Sequence, residues 1–299
     1  MLDFRIKTFI AVWEERSYTK AAGKMFITQP AVSQHIKHLE ARLGAALFRF
    51  IGRELSLTEA GAALYRYASL AAAEGRKTEA LIASLGTAIP ICFGATRTIG
   101  EYVLPPFLAG YLRENPDADI SMVVDNTDVL LGRLKEGTID FAFIEGIFDR
   151  EEYATKLFIR DSFIPVCSAR NPLASGEVGF DDILGRRLIV REKGSGSRMI
   201  LENALAGFNL KIARFHRVLE LGNLEVIKDF VAEDLGIAFL YERSVRRELD
   251  SGRLAAIRLR NFSVSHDYSF VYLKNSVYED TYNGFLAALA GNTGAAADI

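Results

Sequence analysis

Two cysteines in 299 residues leave no disulfide framework to build on. Cys92 and Cys167 each lie inside an apolar, strand-like run, IPICFGA and FIPVCSA, and are expected as buried, inert thiols in a reducing cytoplasm. No apolar run approaches the roughly 20 residues of a membrane span. Asp3 and Arg5 interrupt the first apolar residues at once, so neither an anchor nor a secretory leader is expected. Histidine is as scarce: of the four, His35 and His38 share one short stretch, and His216 and His266 stand alone. No Ser-His-Asp set, metal-ligand cluster or P-loop can be assembled from them, and no catalytic residue, metal or cofactor is expected. The remainder, 49% hydrophobic and 25% charged, is ordinary globular composition, long enough for two or three compact units.

Net charge is small overall but unevenly placed. The chain carries a net −2, yet its first 86 residues hold 12 Lys and Arg against 8 Asp and Glu. From Arg16 to Arg53 there are seven basic residues (Arg16, Lys20, Lys24, Lys37, Arg42, Arg49, Arg53) and a single acid, Glu40. A basic head on an acidic body points to a phosphate-bearing partner that meets the head alone.

The segment SYTKAAGKMFITQPAVSQHIKHLEARLGAALFRFIGRELSLT, Ser17 to Thr58, reads as two short helices around a tight turn, then a small wing. Ser17 is a good N-cap, and Tyr18, Ala21, Ala22 and Met25 recur on one apolar face. Thr28 caps the second helix, with Pro30 in its first turn. Val32, Ile36, Leu39 and Leu43 form the buried stripe, and Gly44 stops it. At about 100° per residue, Pro30, Gln34, Lys37, His38 and Ala41 face away from that stripe, flanked by Gln29 and Ser33. Gln and Ser suit base edges in a major groove, and Lys and His suit phosphates. A helical pair with a solvated basic face fits the same pattern. Ahead of it, Ile6, Phe9, Ile10 and Trp13 predict a first helix packing behind the pair.

The run of Ala-Ala, Thr-Gln-Pro-Ala-Val-Ser, Leu-Glu, Leu-Gly, Leu-Phe and Leu-Thr-x-Ala-Gly over about the first sixty residues resembles the winged helix-turn-helix of the LysR-type bacterial transcriptional regulators. That resemblance implies double-stranded operator or promoter DNA as partner, read by Gln29, Pro30, Ser33, Gln34, Lys37 and His38, with Arg53 at the wing tip. One departure stands out. The family usually carries Leu-Phe-x-Arg, whereas this chain reads Leu47-Phe48-Arg49-Phe50, which leaves Arg53 the better wing contact.

Thr58 is expected to cap a long Ala-rich helix to about Leu85, some 27 residues and about 40 Å. Ala60, Leu64, Tyr67, Ala71, Glu74, Thr78, Leu81 and Leu85 follow the 4-3-4-3 spacing of a two-stranded seam, weakened at Glu74 and Thr78. A surface helix fits the pattern too; the resemblance implies a linker helix pairing two subunits into a homodimer or homotetramer. RNA polymerase is a further candidate partner. After a hinge at Gly86–Pro90, short apolar runs alternate with helical segments in two successive α/β sets. The fold expected is therefore a winged helix-turn-helix (1–58), a linker helix (59–86), and an α/β effector domain (87–299). The last would comprise two Rossmann-like lobes, about 87–161 with 266–299 and about 162–265, similar to type 2 periplasmic binding proteins. The tail GNTGAAADI is expected to fray.

In open α/β lobes a ligand sits beyond the carboxyl ends of the strands. Three junctions point there: GATRTIG with Thr96 and Thr98, GSGSR with Gly194, Ser195, Gly196 and Ser197, and Gly222 with Asn223. Thr127, expected to cap the helix after the second strand, joins them. Hydroxyls and free N–H groups at helix starts favour a small oxyanion such as sulfate, sulfite, phosphate or carboxylate. Thr-x-Thr resembles the sulfate-contacting turn of the family's cysteine-biosynthesis regulators, and REKGSGSR resembles its sulfur-assimilation and carbon-fixation branch. Glu145, ending DFAFIEG, opposes an anion unless it is protonated, paired with Arg97 or Arg198, or matched to a cationic part of the ligand. The functional expectation is a cytoplasmic transcriptional regulator controlled by a small, anionic effector. The alternative is an enzyme acting on a phosphorylated or sulfated small molecule, with the basic head as a tether.

Overall fold

The computed structural model describes residues 3–52, 54–83 and 90–291. Helix α1 (Phe4–Glu15) starts at Asp3, whose side chain accepts from the Arg5 N–H. Helices α2 (Tyr18–Met25) and α3 (Gln29–Leu43) begin at Ser17 and Thr28, whose hydroxyls accept from Lys20 N and Ala31 N, and α3 ends at left-handed Gly44. Strands β1 (Phe48–Ile51) and β2 (Glu54–Leu57) pair antiparallel, Ile51 opposite Glu54, to make the wing. Phe9, Val12, Ala21, Val32, Ile36, Leu39 and Leu47 are buried together, with Trp13 packed at the edge of that core.

Helix α4 (Glu59–Ala83) is tied on at its start. The Thr58 hydroxyl accepts from Gly61 N and donates to Ala46 O, while Thr58 N donates to Leu47 O. A Cβ on Gly61 would fall 2.0 Å from the Leu47 carbonyl oxygen, so only glycine lets the helix approach the wing this closely. The stripe buried on the head is Gly61, Tyr65 and Ala68. That is one position out of phase with the 4-3 seam, and Tyr67 is left 64% exposed. The side chains of Leu81 and Leu85 lie outside the described residues.

The α/β body is a second unit. Its first half runs β3 (Ile91–Thr96), one π-helical turn (Ile99–Val103), α5 (Leu104–Glu114), β4 (Ile120–Asp125), α6 (Thr127–Glu136) and β5 (Phe141–Ile144). Strand β3 pairs parallel with both β4 and β5. The long β6 (Tyr153–Ser168) leads into the second half. There follow β7 (Glu177–Val178), α7 (Phe180–Leu184), β8 (Arg187–Val190), α8 (Gly196–Gly207), β9 (Arg217–Glu220), α9 (Leu224–Ala232), β10 (Ala238–Tyr241), α10 (Glu242–Asp250), β11 (Leu254–Ala256) and β12 (Arg258–Leu259). Strand β13 (Val264–Leu273) returns antiparallel along β6, and α11 (Glu279–Gly291) closes the first half.

The main sheet runs β10-β6-β13-β5-β3-β4, with β11 also on β6. Strands β8 and β9 pair parallel and meet β10 through a Leu188–Ile237 bridge. The antiparallel ribbon β6/β13 therefore runs through both α/β halves, giving the two-lobed fold of type 2 periplasmic binding proteins. Its core is aromatic: Phe93, Phe141, Phe143, Phe270 and Phe285 are buried in mutual contact. Phe93 and Phe141 stack 5.2 Å apart. Cys167 is buried on β6, and burial pushes its thiol up to about 11.

Candidate DNA interface and effector cleft

Helix α3 buries Val32, Ile36 and Leu39 and leaves Gln29, Pro30, Gln34, Lys37 and His38 exposed, with Ser33 half-buried. Gln29 Nε2 donates to Ser33 Oγ at 3.0 Å, so two of the expected base-reading groups hold each other in place across one turn. The lone acid of the basic stretch is occupied elsewhere: Glu40 Oε1 accepts from Leu47 N at 2.8 Å, anchoring the entry to the wing. Its carboxylate is thereby spent on a backbone donor rather than presented beside Lys37. His35 belongs to the scaffold. Its Nδ1 lies 3.0 Å from the buried Thr8 hydroxyl, and its ring meets Phe4 edge-on.

Arg53, the expected wing contact, lies outside the described residues, and Arg49 is exposed on β1 opposite Ser56. Sequence reasoning missed the apolar side of this end. Phe50 and Ile51 on the wing are exposed, and Phe26, in the turn between α2 and α3, is 96% exposed with φ +55°. A glycine-less turn following Met25 was the available signal.

In the body, three threonines converge on one residue. Glu145 follows β5; its N–H donates to Thr96 Oγ1 at 3.4 Å, its carbonyl accepts from Thr127 Oγ1 at 3.1 Å, and its Oε1 accepts from Thr98 Oγ1 at 3.0 Å. Two expectations about these groups are corrected. Thr98 makes no bond to a helix N–H, because the chain enters a π-helical turn there and the hydroxyl turns to Glu145. Thr127 is not the cap of α6 either: the Asn126 side chain accepts from Val129 N, which frees the Thr127 hydroxyl for Glu145.

The second lobe comes up against the same spot. Gly146 takes φ +103°, and a Cβ on Gly196 would fall 2.8 Å from the Glu145 carbonyl oxygen. Neither position tolerates a side chain, so Gly196 matters for backbone approach across the lobes. Ser195 is the N-cap residue of α8, and its hydroxyl lies 3.0 Å from that of Ser197, both buried. Gly194 takes φ +89° in the turn before them. Asn223 is exposed and caps α9 by accepting from Val226 N. Gly222 beside it lies against the Glu192 carboxylate rather than the threonine cluster.

Glu145 is 2% exposed, and its Oε2 has no hydrogen-bond partner. Burial, opposed by the Thr98 bond and by Arg191, pushes its carboxyl up to about 7. The cation that acts on it is Arg191, not the expected Arg97 or Arg198. Arg198 is engaged by Glu202 and Glu220. Arg191 is itself buried and holds Glu192 through two parallel N–H bonds of 2.8 and 3.0 Å. The ribbon β6/β13 adds Asp161, which accepts from Tyr268 Oη at 2.8 Å and which burial also raises. Tyr241, at the end of β10, has a buried and unpartnered hydroxyl. Burial, with Glu145 and then Asp161 adding to it, pushes that phenol well above its usual range. His266 Nε2 accepts from Gly146 N at 3.1 Å, and burial lowers its pKa. Arg191, Asp161, Tyr241, Tyr268 and His266 were not legible as site residues, since they are spread over β6, β10, β13 and the residue after β8, and no local spacing marks them as neighbours. The first lobe is also fastened to the second by Tyr102, whose hydroxyl donates to Glu225 Oε1 at 2.6 Å. A buried Lys228 bridges Glu225 and Glu248 and lies over the Tyr102 ring.

Known proteins bear on this arrangement. Residues 5–62 match the bacterial regulatory helix-turn-helix of the lysR family, and residues 86–293 match the LysR substrate binding domain. The HTH-type transcriptional regulator CysL of Bacillus subtilis is 30% identical over 292 residues, covering 96% of either chain. Among solved structures, full-length OxyR from Pseudomonas aeruginosa superposes with a TM-score of 0.60 at 20% identity, covering 97% of this chain and 95% of that one. The Synechocystis CcmR regulatory domain, solved in complex with 2-PG, gives a TM-score of 0.60 at 21% identity over 69% of this chain and 98% of its own. With both halves matched in order along nearly its whole length, the chain belongs to the LysR family of bacterial transcriptional regulators.

Proposed function

We propose that this regulator reads its operator with Gln29, Ser33 and Gln34, contacts phosphates with Lys37 and His38, and is controlled by a small oxyanion held between its two lobes. The observation that carries the DNA half is the division of α3 into a buried apolar stripe and an exposed face that presents no acid, Glu40 being turned to Leu47 N. Pro30 belongs to that face as the close-packing first turn. The effector half is supported by the hydroxyls of Thr96, Thr98 and Thr127, buried around Glu145, by those of Ser195 and Ser197, buried at the start of α8, and by the backbone approach at Gly196. The 2-PG carried by the related CcmR domain is itself an anion, which favours the same class here. Asn223 stands outside this group as an ordinary cap.

The working division is a DNA-binding head to residue 58, a linker helix to residue 86, and an effector domain beyond. The exposed Tyr67 face of α4 supports self-association into a homodimer or homotetramer, which would set two recognition helices about one DNA turn, or a multiple, apart. A cytoplasmic location follows from the DNA partner; no described helix is long and apolar enough to cross a membrane. RNA polymerase is a further candidate partner.

Fluorescence anisotropy on operator and scrambled duplexes tests the readout. Gln29→Ala and Ser33→Ala are expected to lose about 1–3 kcal/mol on operator alone. Lys37→Ala is expected to weaken binding to both duplexes and to lower the salt slope by about one. Equal losses on both duplexes for all three variants would remove the base-reading assignment.

A further inference from the structure

Glu145 is an odd residue to find at the floor of an anion site. The three threonines that could serve an anion are all bonded to it, with Thr96 alone keeping its hydroxyl proton to give. Thr98 gives its hydroxyl proton to Oε1, Thr127 gives its proton to the Glu145 carbonyl, and Thr96 accepts from the Glu145 N–H. The second carboxyl oxygen, Oε2, is buried with no partner. A buried carboxylate oxygen left in that state is costly, and a hydrogen bond from a donor is what relieves it.

None of the charged and titratable groups around it donates to Oε2. Arg191, just after β8, is the cation that acts on the carboxyl, and its guanidinium is already bound to Glu192. From β6 comes Asp161, a second carboxylate, held by Tyr268 of β13 and by Arg243 N of α10. From β10 comes Tyr241, with its hydroxyl unpartnered, and from β13 His266, whose Nε2 faces Gly146. Asp161 is thus a second carboxylate beside Glu145; the cation acting on Glu145, Arg191, is itself paired, and Arg243 acts on Asp161 instead. An oxyanion bearing no proton would meet a floor with the wrong sign of charge.

We propose that the bound effector and Glu145 share one proton between a ligand oxygen and Oε2, so that the cleft selects oxyanions that still carry a proton at neutral pH, hydrogen phosphate and its kind, over those that do not, such as sulfate. This rests on the reading of the cleft as the effector site and narrows the ligand class within it. The proton balance is simple. Hydrogen phosphate brings the proton with it, and none is exchanged with solvent when the carboxyl is ionised. Sulfate brings none, so Glu145 must take one from solvent as sulfate binds.

The test is isothermal titration of the full chain with inorganic phosphate and with sulfate, at several pH values between about 8 and about 9, above the ionisation of both the carboxyl and dihydrogen phosphate, where linkage reads proton exchange directly. Each titration is repeated in two buffers of different ionisation heat. Sulfate is expected to take up one proton and to lose about tenfold in affinity per pH unit. Phosphate is expected to bind with no uptake and flat affinity. In Glu145→Gln the sulfate dependence on pH should vanish, and phosphate should lose its advantage. In Thr98→Val, which removes the donor to Oε1 and favours the protonated carboxyl, the fall in sulfate affinity should begin at higher pH. Sulfate binding without proton uptake, or an unchanged pH slope in Glu145→Gln, would overturn the shared proton while leaving the cleft. If neither anion binds, or if Thr96→Val with Ser195→Ala alters neither isotherm, the cleft reading itself falls.

Discussion

Replacing Glu145 by Gln in the ligand-free protein isolates the cost of burying this carboxyl. The folded protein raises it from 4.5 to about 7, with burial as the largest cause. At about 1.36 kcal/mol per pH unit, that displacement corresponds to about 3 kcal/mol of folding stability withheld once the group is ionised. The sign follows from proton counting. Between the two values the folded state binds more protons than the unfolded one, so stability falls as pH rises through this window and levels off above about 7. Gln cannot ionise, so the variant lacks this fall. It keeps an acceptor for Thr98 and puts an amide where Oε2 was, a change whose own cost does not vary with pH. The informative quantity is therefore how the stability difference, variant minus parent, changes with pH. It should rise by about 3 kcal/mol from pH about 4.5 to about 8.

The assay is urea unfolding of both proteins across that range in buffer free of phosphate and sulfate. The probe has to report on the body. Trp13, the only tryptophan, lies in the head core, so its fluorescence follows the wrong unit. Near-ultraviolet dichroism of the buried Tyr241, Tyr268 and Tyr272 follows the right one. Asp161 also titrates upward through burial and contributes its own slope, but that slope is present in both proteins and largely cancels in the difference. A difference that stays flat with pH, or that falls as pH rises, would refute the reasoning.

Two further outcomes are expected. Phe26 holds φ +55° with its ring 96% exposed, so Phe26→Gly should remove left-handed strain of about 1 kcal/mol at little cost in packing, and Trp13 fluorescence in a urea titration would register the gain; a loss of stability would show that the ring packs on something. Cys167 is buried with its thiol pushed up to about 11, so an aromatic disulfide reagent at pH about 8 should leave it unmodified until urea is added; prompt labelling of this residue in the native protein would contradict its placement on β6.

What was legible in the sequence was whatever repeats along the chain or ends an element. Of the expected stripe Val32, Ile36, Leu39 and Leu43, the first three are buried and name the inner face of α3, and so by subtraction the exposed one, while Leu43 in the last turn is left exposed. Ser17, Thr28 and Thr58 announced three helix starts with hydroxyls that do accept the expected N–H groups. Capping logic then failed at Thr98 and Thr127. A threonine before a helix looks the same whether its hydroxyl turns to its own backbone or to a carboxyl 47 residues away, as that of Thr98 does. The stripe of α4 that packs on the head was not legible for a related reason, and it leaves the Tyr67 seam facing outward. The helix's Ala-rich repeat fits two stripes, and the contact at Gly61, where the Leu47 carbonyl leaves no room for a side chain, decides between them. The cleft floor was the least legible part. Asp161, Tyr241 and Tyr268 come from three different strands, and nothing local marks any of them as neighbours of Glu145.

The π-helical turn ties these observations together within the body. Thr98, at its start, is bonded to Glu145, and Tyr102, one turn on, is bonded to Glu225 of the second lobe. A π-turn inserts one residue into a helix and recurs at functional sites because the extra residue redirects a side chain. Here it lets one short piece of backbone present a hydroxyl to the cleft at one end and a phenol to the Lys228 ion-pair group at the other. A ligand shifts the balance between lobe arrangements only through contacts that differ between them. A ligand that competes for the Thr98 hydroxyl changes the partner of a group four residues from a bond joining the lobes, whereas one held only by Ser195 and Ser197 would act on the second lobe alone. Occupancy of Thr98, more than affinity as such, is therefore the contact by which an effector would act on both lobes at once.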